Sequence, residues 1–197
     1  MSHFNPLRLA AALALAAAAP FASATVLSFD DLSSNADPVP AHYGGLDWSA
    51  SGWLSFDGSD TSLPYTPHSG ANVVTLGWDG TDALSLVRFG QAATFQGAWF
   101  SGYAEGDVSF QLYYHGDLVG TSATLASSAT PTFLSSGYAG LVDAVGIKSS
   151  GHAYYVMDDF TFTAAVPEPS VTLLMLAGLG ATGFVAARRR RAAGDAA

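Results

Sequence analysis

Between residues 25 and 163, hydrophobic residues occur in short runs that alternate with polar residues. A period of two residues is typical of β-strands, because successive side chains of a strand point to opposite faces of a sheet. A helical period is absent until the C-terminal end of the chain. The predicted strands are residues 25–29, 45–49, 52–56, 72–76, 83–88, 93–101, 108–115, 117–124, 130–134, 142–149 and 154–163.

Gly, Asp, Asn, Ser and Pro separate these runs at regular intervals. The tetrapeptide at 114–117 leaves room only for a tight turn around Gly116, which predicts a β-hairpin. Residues 57–70 are rich in turn formers and predict the longest surface loop. Many short strands with regular turns favour an all-β fold, namely a two-sheet antiparallel sandwich.

The N-terminal segment has the pattern of a secretory signal peptide. Arg8 precedes the apolar stretch 9–19, and Ala22 and Ala24 supply the small residues of a cleavage site. This pattern predicts a signal peptide at 1–24 that is read by the Sec export machinery. It leaves residues 25–165 as the material for one domain.

The C-terminal segment combines a Pro-Glu-Pro sequence, an uncharged apolar run at 171–187 and a basic cluster. The 17 apolar residues would span about 25 Å as a helix, near the lower limit for a membrane. Basic residues beside a span are retained on the cytoplasmic side, so everything before it is expected to lie outside. A C-terminal core helix of a soluble domain is the alternative.

These three features, in this order, resemble the PEP-CTERM sorting signal of bacterial surface and secreted proteins. The resemblance implies that residues 166–197 are a processing signal, recognised by an exosortase, that passes transiently through the inner membrane at 171–187. The matching residues are Pro167, Glu168, Pro169, Arg188, Arg189, Arg190 and Arg191.

Three motifs extend the resemblance to the domain itself: 29–32 (FDDL), 43–48 (YGGLDW) and 157–162 (MDDFTF). They resemble the β-sandwich ectodomains often joined to PEP-CTERM signals, which are similar in outline to jelly-roll carbohydrate-binding modules. The resemblance implies a jelly-roll-like sandwich whose first and last strands are neighbours.

Charge and cysteine content limit the possible partners. Residues 25–169 include fifteen Asp and Glu residues but only two basic residues, Arg88 and Lys148, so the net charge of this segment is −13. Such a charge excludes nucleic acid as a natural partner and disfavours binding to anionic lipid. The absence of cysteine excludes disulfides, thiol catalysis and thiolate metal sites.

Acidic residues at both ends of the domain suggest a metal site. Strand alternation places Asp31 on the face of Phe29, and Asp158 on the face of Phe160, so both carboxylates are expected to point inward. Buried carboxylates need donors, a charged partner or a metal. We therefore expect a structural Ca²⁺ site at Asp31 and Asp158, with Asp30 or Asp159. The alternative is that these residues cap turns at strand ends.

The first half of the domain is rich in aromatic residues close to Asp and His side chains. Rings exposed on a sheet face or in loops, beside hydrogen-bonding groups, are typical of sugar-binding sandwiches. The candidate ligand-binding residues are Tyr43, Trp48, Trp53, Tyr65 and Trp78. The alternative is that most tryptophans lie in the core and the tyrosines at sheet edges.

Catalytic patterns are weak in this sequence. Glu105 is the single Glu of the domain before the sorting motif, and no pair of carboxylates stands out as a glycosidase pair. His42, His68, His115 and His152 are scattered in predicted turns without metal-ligand spacing. No nucleophile elbow is present. We expect no enzymatic activity.

The sequence therefore predicts an exported, non-enzymatic bacterial protein of the cell surface or extracellular matrix. Its precursor is expected to be anchored in the membrane and processed by an exosortase, and its domain to bind extracellular polysaccharide or another matrix component. Two alternatives remain: a purely structural matrix or biofilm protein without a defined ligand, and an enzyme that acts on extracellular polysaccharide.

Overall fold

The computed structural model describes residues 23–49, 51–60, 62–77, 81–150, 154–165, 178–180 and 182–183. Residues Ala22–Ala165 form one compact unit. Its strands are β1 (Ala24–Leu27), β2 (Asn35–Pro38), β3 (Leu46–Asp47), β4 (Leu54–Asp57), β5 (Asn72–Thr75), β6 (Ala83–Gly102), β7 (Asp107–Tyr114), β8 (Asp117–Thr121), β9 (Leu125–Ala126), β10 (Thr132–Ser135), β11 (Val142–Ser150) and β12 (Tyr155–Ala164), with a 3-10 turn at Tyr43–Gly45.

The predicted antiparallel sandwich is confirmed, and β6 links its two sheets. The second half of β6 pairs with β12 and β10 in the front sheet, in which β12 is followed by β5, β4 and β2, and β1 also pairs with β12. The first half pairs with β3 and β11 in the back sheet, followed by β7 and β8, with β9 on β7. Ala93 pairs with both β11 and β12, which marks the crossing point.

The sequence predicted two strands where the structure has the single strand β6. The predicted break contained Gly90, a residue that often interrupts strands. Hydrogen bonds to β11 on one side of this position and to β12 on the other keep β6 continuous. Two short strands were not predicted, because β2 reads Asn-Ala-Asp-Pro and β9 has only two residues.

The core lies between the sheets and contains the aromatic rings of several strands. Phe95 of β6 packs against Phe110 and Phe160, with ring centroids 4.8 and 4.7 Å apart. Tyr155, Met157 and Phe160 of β12 are fully buried in the same cluster. Burial of such rings supplies most of the driving force for folding, since each removes a large apolar area from water.

A bulge in β12 changes which side chains face the core. Asp159 has a φ of 48°, and the pairing with β6 shifts register between Asp158 and Thr161. Met157 and Phe160 therefore both belong to the core cluster, although they are three residues apart. Asp158 shares the outer face of the front sheet with Val156. The prediction that Asp158 points inward with Phe160 is wrong, because the bulge interrupts the two-residue period.

The end of β1 departs from the predicted alternation in a similar way. Phe29 is fully buried, but its φ is 61°, and Leu32 N–H donates to its carbonyl oxygen across a turn. Asp31 is consequently exposed, so the prediction that it points inward with Phe29 is wrong. The expected pairing of the first and last strands is confirmed, since β1 pairs with β12.

The predicted hairpin is confirmed between β7 and β8. His115 and Gly116 form its turn with φ values of 54° and 86°. Two successive residues with positive φ are typical of a type I′ turn, which matches the twist of the paired strands.

The long loop between β4 and β5, residues 58–71, covers part of the outer face of the front sheet. Tyr65 of this loop is 7% exposed and packs with Val73, Val156 and Phe56 in a small second cluster. Segments of β5 and β12 are therefore buried on both faces. We call residues 58–71 the cover loop.

The predicted membrane-spanning helix at 171–187 lies mostly outside the described residues, of which 178–180 and 182–183 are helical. In the described parts of the chain, no helix is both long and apolar enough to cross a membrane. The predicted signal peptide also lies outside them, apart from residues 23 and 24.

Candidate functional site

The cover loop, β6, β12 and the residue before β10 enclose a shallow cleft on the outer face of the front sheet. The empty volume, which includes open solvent, is about 130 Å³. We call this feature the outer cleft, and its lining residues are Thr66, His68, Trp99, Phe100, Ser101, Pro131, Val156 and Asp158.

An aromatic group forms one side of the outer cleft. The His68 imidazole stacks on the Trp99 indole with ring centroids 3.5 Å apart and an angle of 11° between the planes. Phe133, which pairs with Trp99 across the β10–β6 ladder, lies 5.6 Å from that indole and is 39% exposed. The group therefore offers partly exposed ring surface beside hydrogen-bonding atoms.

Three tyrosines pack together just beyond the end of β6. Tyr103 contacts Tyr65 and Tyr154 edge to face, with centroid distances of 5.5 and 6.0 Å. Tyr103 and Tyr154 are 38% and 41% exposed, whereas Tyr65 is buried. Trp99 and Tyr103 are four positions apart, or about 13 Å along an extended strand. We call Trp99, Phe133, Tyr103 and Tyr154 the aromatic strip.

The cover loop is held over the sheet by Asp158. Its Oδ2 atom accepts hydrogen bonds from the backbone N–H groups of His68 and Ser69, each at 2.8 Å, and its Oδ1 atom accepts one from the N–H of Asp159. The side chain is only 2% exposed. A buried carboxylate is tolerated here because three N–H donors satisfy it.

Asp159 contacts the same loop through its side chain. Its Oδ2 atom lies 2.6 Å from Nδ1 of His68, and its Oδ1 atom accepts a hydrogen bond from the Ser69 hydroxyl at 2.9 Å. A carboxylate acceptor at Nδ1 favours the tautomer that carries the proton there. In the neutral imidazole, Nε2 of His68 is then left as an acceptor.

Asp30 and Asp31 hold other segments. Asp30 Oδ1 accepts hydrogen bonds from the N–H groups of Ala71 and Asn72, at the end of the cover loop and the start of β5. Asp31 Oδ1 accepts the hydroxyl of Tyr43 at 2.6 Å. These contacts agree with the alternative interpretation that the carboxylates stabilise turns at strand ends.

The surroundings shift the pKa values of these groups in different directions. Burial raises the pKa of Asp158 to about 6, and the charge of Asp159 adds to this, although the three N–H donors oppose it. Burial also acts to raise the pKa of Asp30, but the N–H groups of Asn72 and Ala71 hold it below its usual value. Burial, together with the bond to Asp31, raises the pKa of Tyr43.

The predicted calcium site is not assembled by these residues. Within the described ranges, no three His, Asp or Glu side chains are grouped so that they could hold a metal ion. N–H or O–H donors occupy oxygens of all four predicted ligands, Asp30, Asp31, Asp158 and Asp159. Each carboxylate keeps further lone pairs beside these hydrogen bonds, so calcium binding stays a prediction.

Most of the predicted ligand-binding rings lie elsewhere. Trp48 and Trp53 are 2% and 1% exposed in the core, where their N–H groups donate to the Tyr43 carbonyl and the Ser85 hydroxyl. The prediction that these two rings face a ligand is wrong, because they fill the space between the sheets. Tyr65 is also buried, and its contact with Tyr103 links it to the aromatic strip.

Tyr43 is half-buried and stacks on Phe29 with centroids 5.5 Å apart. Trp78 and His152 lie outside the described residues. The residues of the processing signal from Pro167 to Pro169 and from Arg188 to Arg191 lie outside them as well.

The sequence did not single out Trp99, Phe133 or His68 as a group. Trp99 and Ser101 are two positions apart and share the outer face of β6, and Tyr103 directly follows the strand. The period shifts at Gly97, so buried residues are 93 and 95 before it and 98 and 100 after it. The available sequence signal was Gly97, because a glycine within a strand often marks a bulge that shifts the alternation. Phe133 and His68 join the site only through tertiary contacts.

Comparison with protein families identifies the C-terminal segment. Residues 165–191 match the family described as the PEP-CTERM protein-sorting motif. The match includes Pro167, Glu168, Pro169 and the four consecutive arginines, so the predicted sorting signal is confirmed. The motif indicates an exported protein.

A solved structure is similar to the chain at low sequence identity. It is the structure of TmCBM61 in complex with beta-1,4-galactotriose, with 12% identity, a TM-score of 0.38, and coverage of 61% of this chain and 87% of that chain. No curated protein matches the chain.

Proposed function

We propose that this exported protein is processed at its C-terminal sorting signal by an exosortase and that its β-sandwich binds a glycan at the outer cleft. Pro167, Glu168 and Pro169 serve as the recognition sequence, residues 171–187 as the transient membrane segment, and the arginine cluster as its cytoplasmic flank. The mature domain acts at the cell surface or in the extracellular matrix.

The observation that carries the glycan proposal is the aromatic strip beside the outer cleft. Sugar rings have apolar faces, which pack on aromatic rings, and hydroxyl groups, which need hydrogen-bonding partners. Phe133, Tyr103 and Tyr154 provide partly exposed rings, and Thr66 and His68 provide polar groups close by. Rings and polar groups thus lie near one another around the second half of β6.

The proposed function is binding without catalysis. The carboxylates nearest the cleft, Asp158 and Asp159, are 2% and 7% exposed and bonded to the cover loop. A glycosidase needs two carboxyl groups that reach the scissile bond, one of them as a proton donor. Groups that hold a loop in place are poorly suited to that task.

The test is glycan-array screening of the full chain purified in detergent, followed by affinity measurements with variants. Phe133→Ala and Tyr103→Ala are expected to weaken binding roughly tenfold or more, which corresponds to about 1.4 kcal/mol each. Leu84→Ala is the matched control, because Leu84 is 50% exposed on the back sheet. Equal affinities of all variants would contradict the assignment of the site.

The same screen separates the alternatives. A purely structural matrix protein would bind no glycan on the array. An enzyme would release new reducing ends from a bound polysaccharide during prolonged incubation, which a colorimetric assay detects. We expect binding without such release.

A further inference from the structure

The charges around the outer cleft restrict the chemistry of its ligand. This inference rests on the proposed glycan binding and concerns the class of glycan. Asp158 lines the cleft, and Asp159 lies behind His68 at its side. Asp158 accepts hydrogen bonds from neutral N–H groups, and Asp159 contacts a hydroxyl and the His68 imidazole.

The basic side chains of the domain lie on the other sheet. Arg88 and Lys148 are the only Lys or Arg residues between positions 25 and 169. Arg88 is on the first half of β6, opposite Ala144, and Lys148 is on β11, opposite Leu84. Both positions belong to the back sheet, so neither residue can neutralise an anionic group bound in the outer cleft.

The polar atoms that remain at the cleft suit hydroxyl groups. Nε2 of His68 is an acceptor when Nδ1–H points to Asp159, and the exposed side chain of Thr66 carries a hydroxyl that can accept or donate. Sugar hydroxyls can pair with both. A uronate carboxylate is held best by Lys or Arg, and the described lining residues include neither. His68 can carry a positive charge, but its Nδ1 atom already lies against the Asp159 carboxylate.

We infer that the outer cleft is selective for neutral glycans and rejects polysaccharides that carry carboxylate groups. Repulsion from the carboxylates under the cleft and from the acidic domain as a whole opposes an anionic chain, and the aromatic strip favours the apolar faces of uncharged sugars. Selectivity thus arises from an unfavourable charge contact as well as from stacking.

The experiment compares matched pairs of polysaccharides with the full chain in detergent. The probes are galactomannan and hydroxyethyl cellulose, together with the neutral glycan that binds most tightly on the array, each paired with a form oxidised to the carboxylate at C6. Isothermal titration calorimetry gives the affinity of both members at low and high salt. The neutral member is expected to bind roughly tenfold or more tightly at low salt, with a smaller ratio at high salt because salt screens the repulsion.

A charge-introducing variant tests the cause. Thr66→Lys places a cation at the exposed rim of the cleft without removing the Thr66 carbonyl, which accepts the Ser101 hydroxyl. This variant is expected to raise the affinity for the oxidised member and so to reduce the ratio of the affinity for the neutral member to that for the oxidised member. The control Thr121→Lys adds the same charge at an exposed position of β8, on the back sheet, and is expected to leave the ratio nearly unchanged.

The outcomes separate this inference from the proposed function. Equal or tighter binding of the oxidised member would overturn the inference and leave glycan binding intact. Equal effects of both lysine variants would also overturn it, because the selectivity would then reflect net charge and not the cleft. A failure of both members of every pair to bind would overturn the proposed function and the inference together.

Discussion

Asp158 and Asp159 are adjacent in the sequence but use different atoms to hold the cover loop. Asp158 is bonded to backbone N–H groups beneath the loop, and Asp159 contacts the side chains of His68 and Ser69. The positive φ of Asp159 makes this possible, because both side chains can then reach one segment of the loop. Two acidic residues at a bulge within β12 thus become the attachment of the loop that borders the proposed binding site.

Removing the Asp158 carboxylate should loosen this attachment. Asp158→Ala leaves the N–H groups of His68 and Ser69 without their acceptor, so we expect the free energy of unfolding to fall by about 2 kcal/mol. Urea unfolding followed by tryptophan fluorescence measures the change. Asp117→Ala, at an exposed position of β8, should change stability by no more than about 0.5 kcal/mol. A similarly small change for Asp158→Ala would contradict the proposed role.

The titration of Asp158 predicts a pH dependence of stability. Its pKa in the folded protein is about 6, against an ordinary value of 3.8, so the folded state binds the proton more tightly. The contribution of this group to stability is therefore fully present below about pH 4 and is lost as the pH rises through about 6.

Urea unfolding of the original protein and of Asp158→Asn tests this sign. The free energy of unfolding of the original protein, relative to that of the variant, should decrease between about pH 4 and about pH 7. Other titrating groups are common to both proteins and cancel in the difference. If the difference in the free energy of unfolding stays constant or grows with pH, the N–H donors outweigh burial in setting the pKa of Asp158.

Among the elements, β6 determines the architecture, because its two halves belong to different sheets. Gly97 lies in the second half with a φ of 147°, and a Cβ atom there would stand 2.1 Å from the carbonyl oxygen of Leu134. The glycine allows β10 to approach β6 closely. It also shifts the alternation that turns Trp99 outward and Ala98 inward.

Gly97→Ala should therefore be much more damaging than a change at an unobstructed glycine. We expect the free energy of unfolding to fall by about 3 kcal/mol or more, because the added methyl group clashes with the backbone and a rotamer change cannot relieve the clash. Gly116→Ala is the control: its φ of 86° carries a backbone cost, but nothing lies within 4 Å of the added methyl group. Thermal unfolding by circular dichroism should show a clearly larger decrease in Tm for Gly97→Ala.

The cover loop provides a test of the calcium hypothesis. Protein donors occupy oxygens of the four acidic residues that the sequence suggested as ligands. If these donors stabilise the carboxylates, a cation is unnecessary, and the Tm of the full chain should be the same in excess chelator and in excess Ca²⁺. A higher Tm with Ca²⁺ would support the calcium site.

At the scale of the whole molecule, the C-terminal signal and the domain have separate tasks. The sorting motif covers residues 165–191, and the compact β unit ends at Ala165. The net charge of −13 over residues 25–169 disfavours polyanionic partners by repulsion.

Processing should depend on the motif and not on acidic residues in general. Glu168→Ala is expected to cause accumulation of the longer form of the protein in the producing bacterium, because the exosortase recognition sequence is disrupted. Intact-mass measurement of the cellular and released protein detects the longer form. Glu105→Ala is the matched control, since it removes the only other Glu of the chain and lies between β6 and β7. Equal processing of both variants would contradict the proposed signal.

The fold class and the sorting signal could be predicted because both depend on local order in the sequence. The two-residue period of residues 25–163 reflects burial of one strand face, and the turn at His115 and Gly116 depends on the conformations that those residues tolerate. The C-terminal signal is likewise a linear pattern, so the order of its residues along the chain is enough to identify it.

The residues of the candidate site come together only through tertiary contacts. The bulges at Gly97 and Asp159 shift the alternation by one residue, and such a shift exchanges the core and solvent faces of a strand. Trp48 and Trp53 fill the core, whereas Trp99 faces outward and meets His68 and Phe133 from distant segments. Sequence periodicity describes one strand at a time, and a binding surface depends on how strands and loops are placed beside one another.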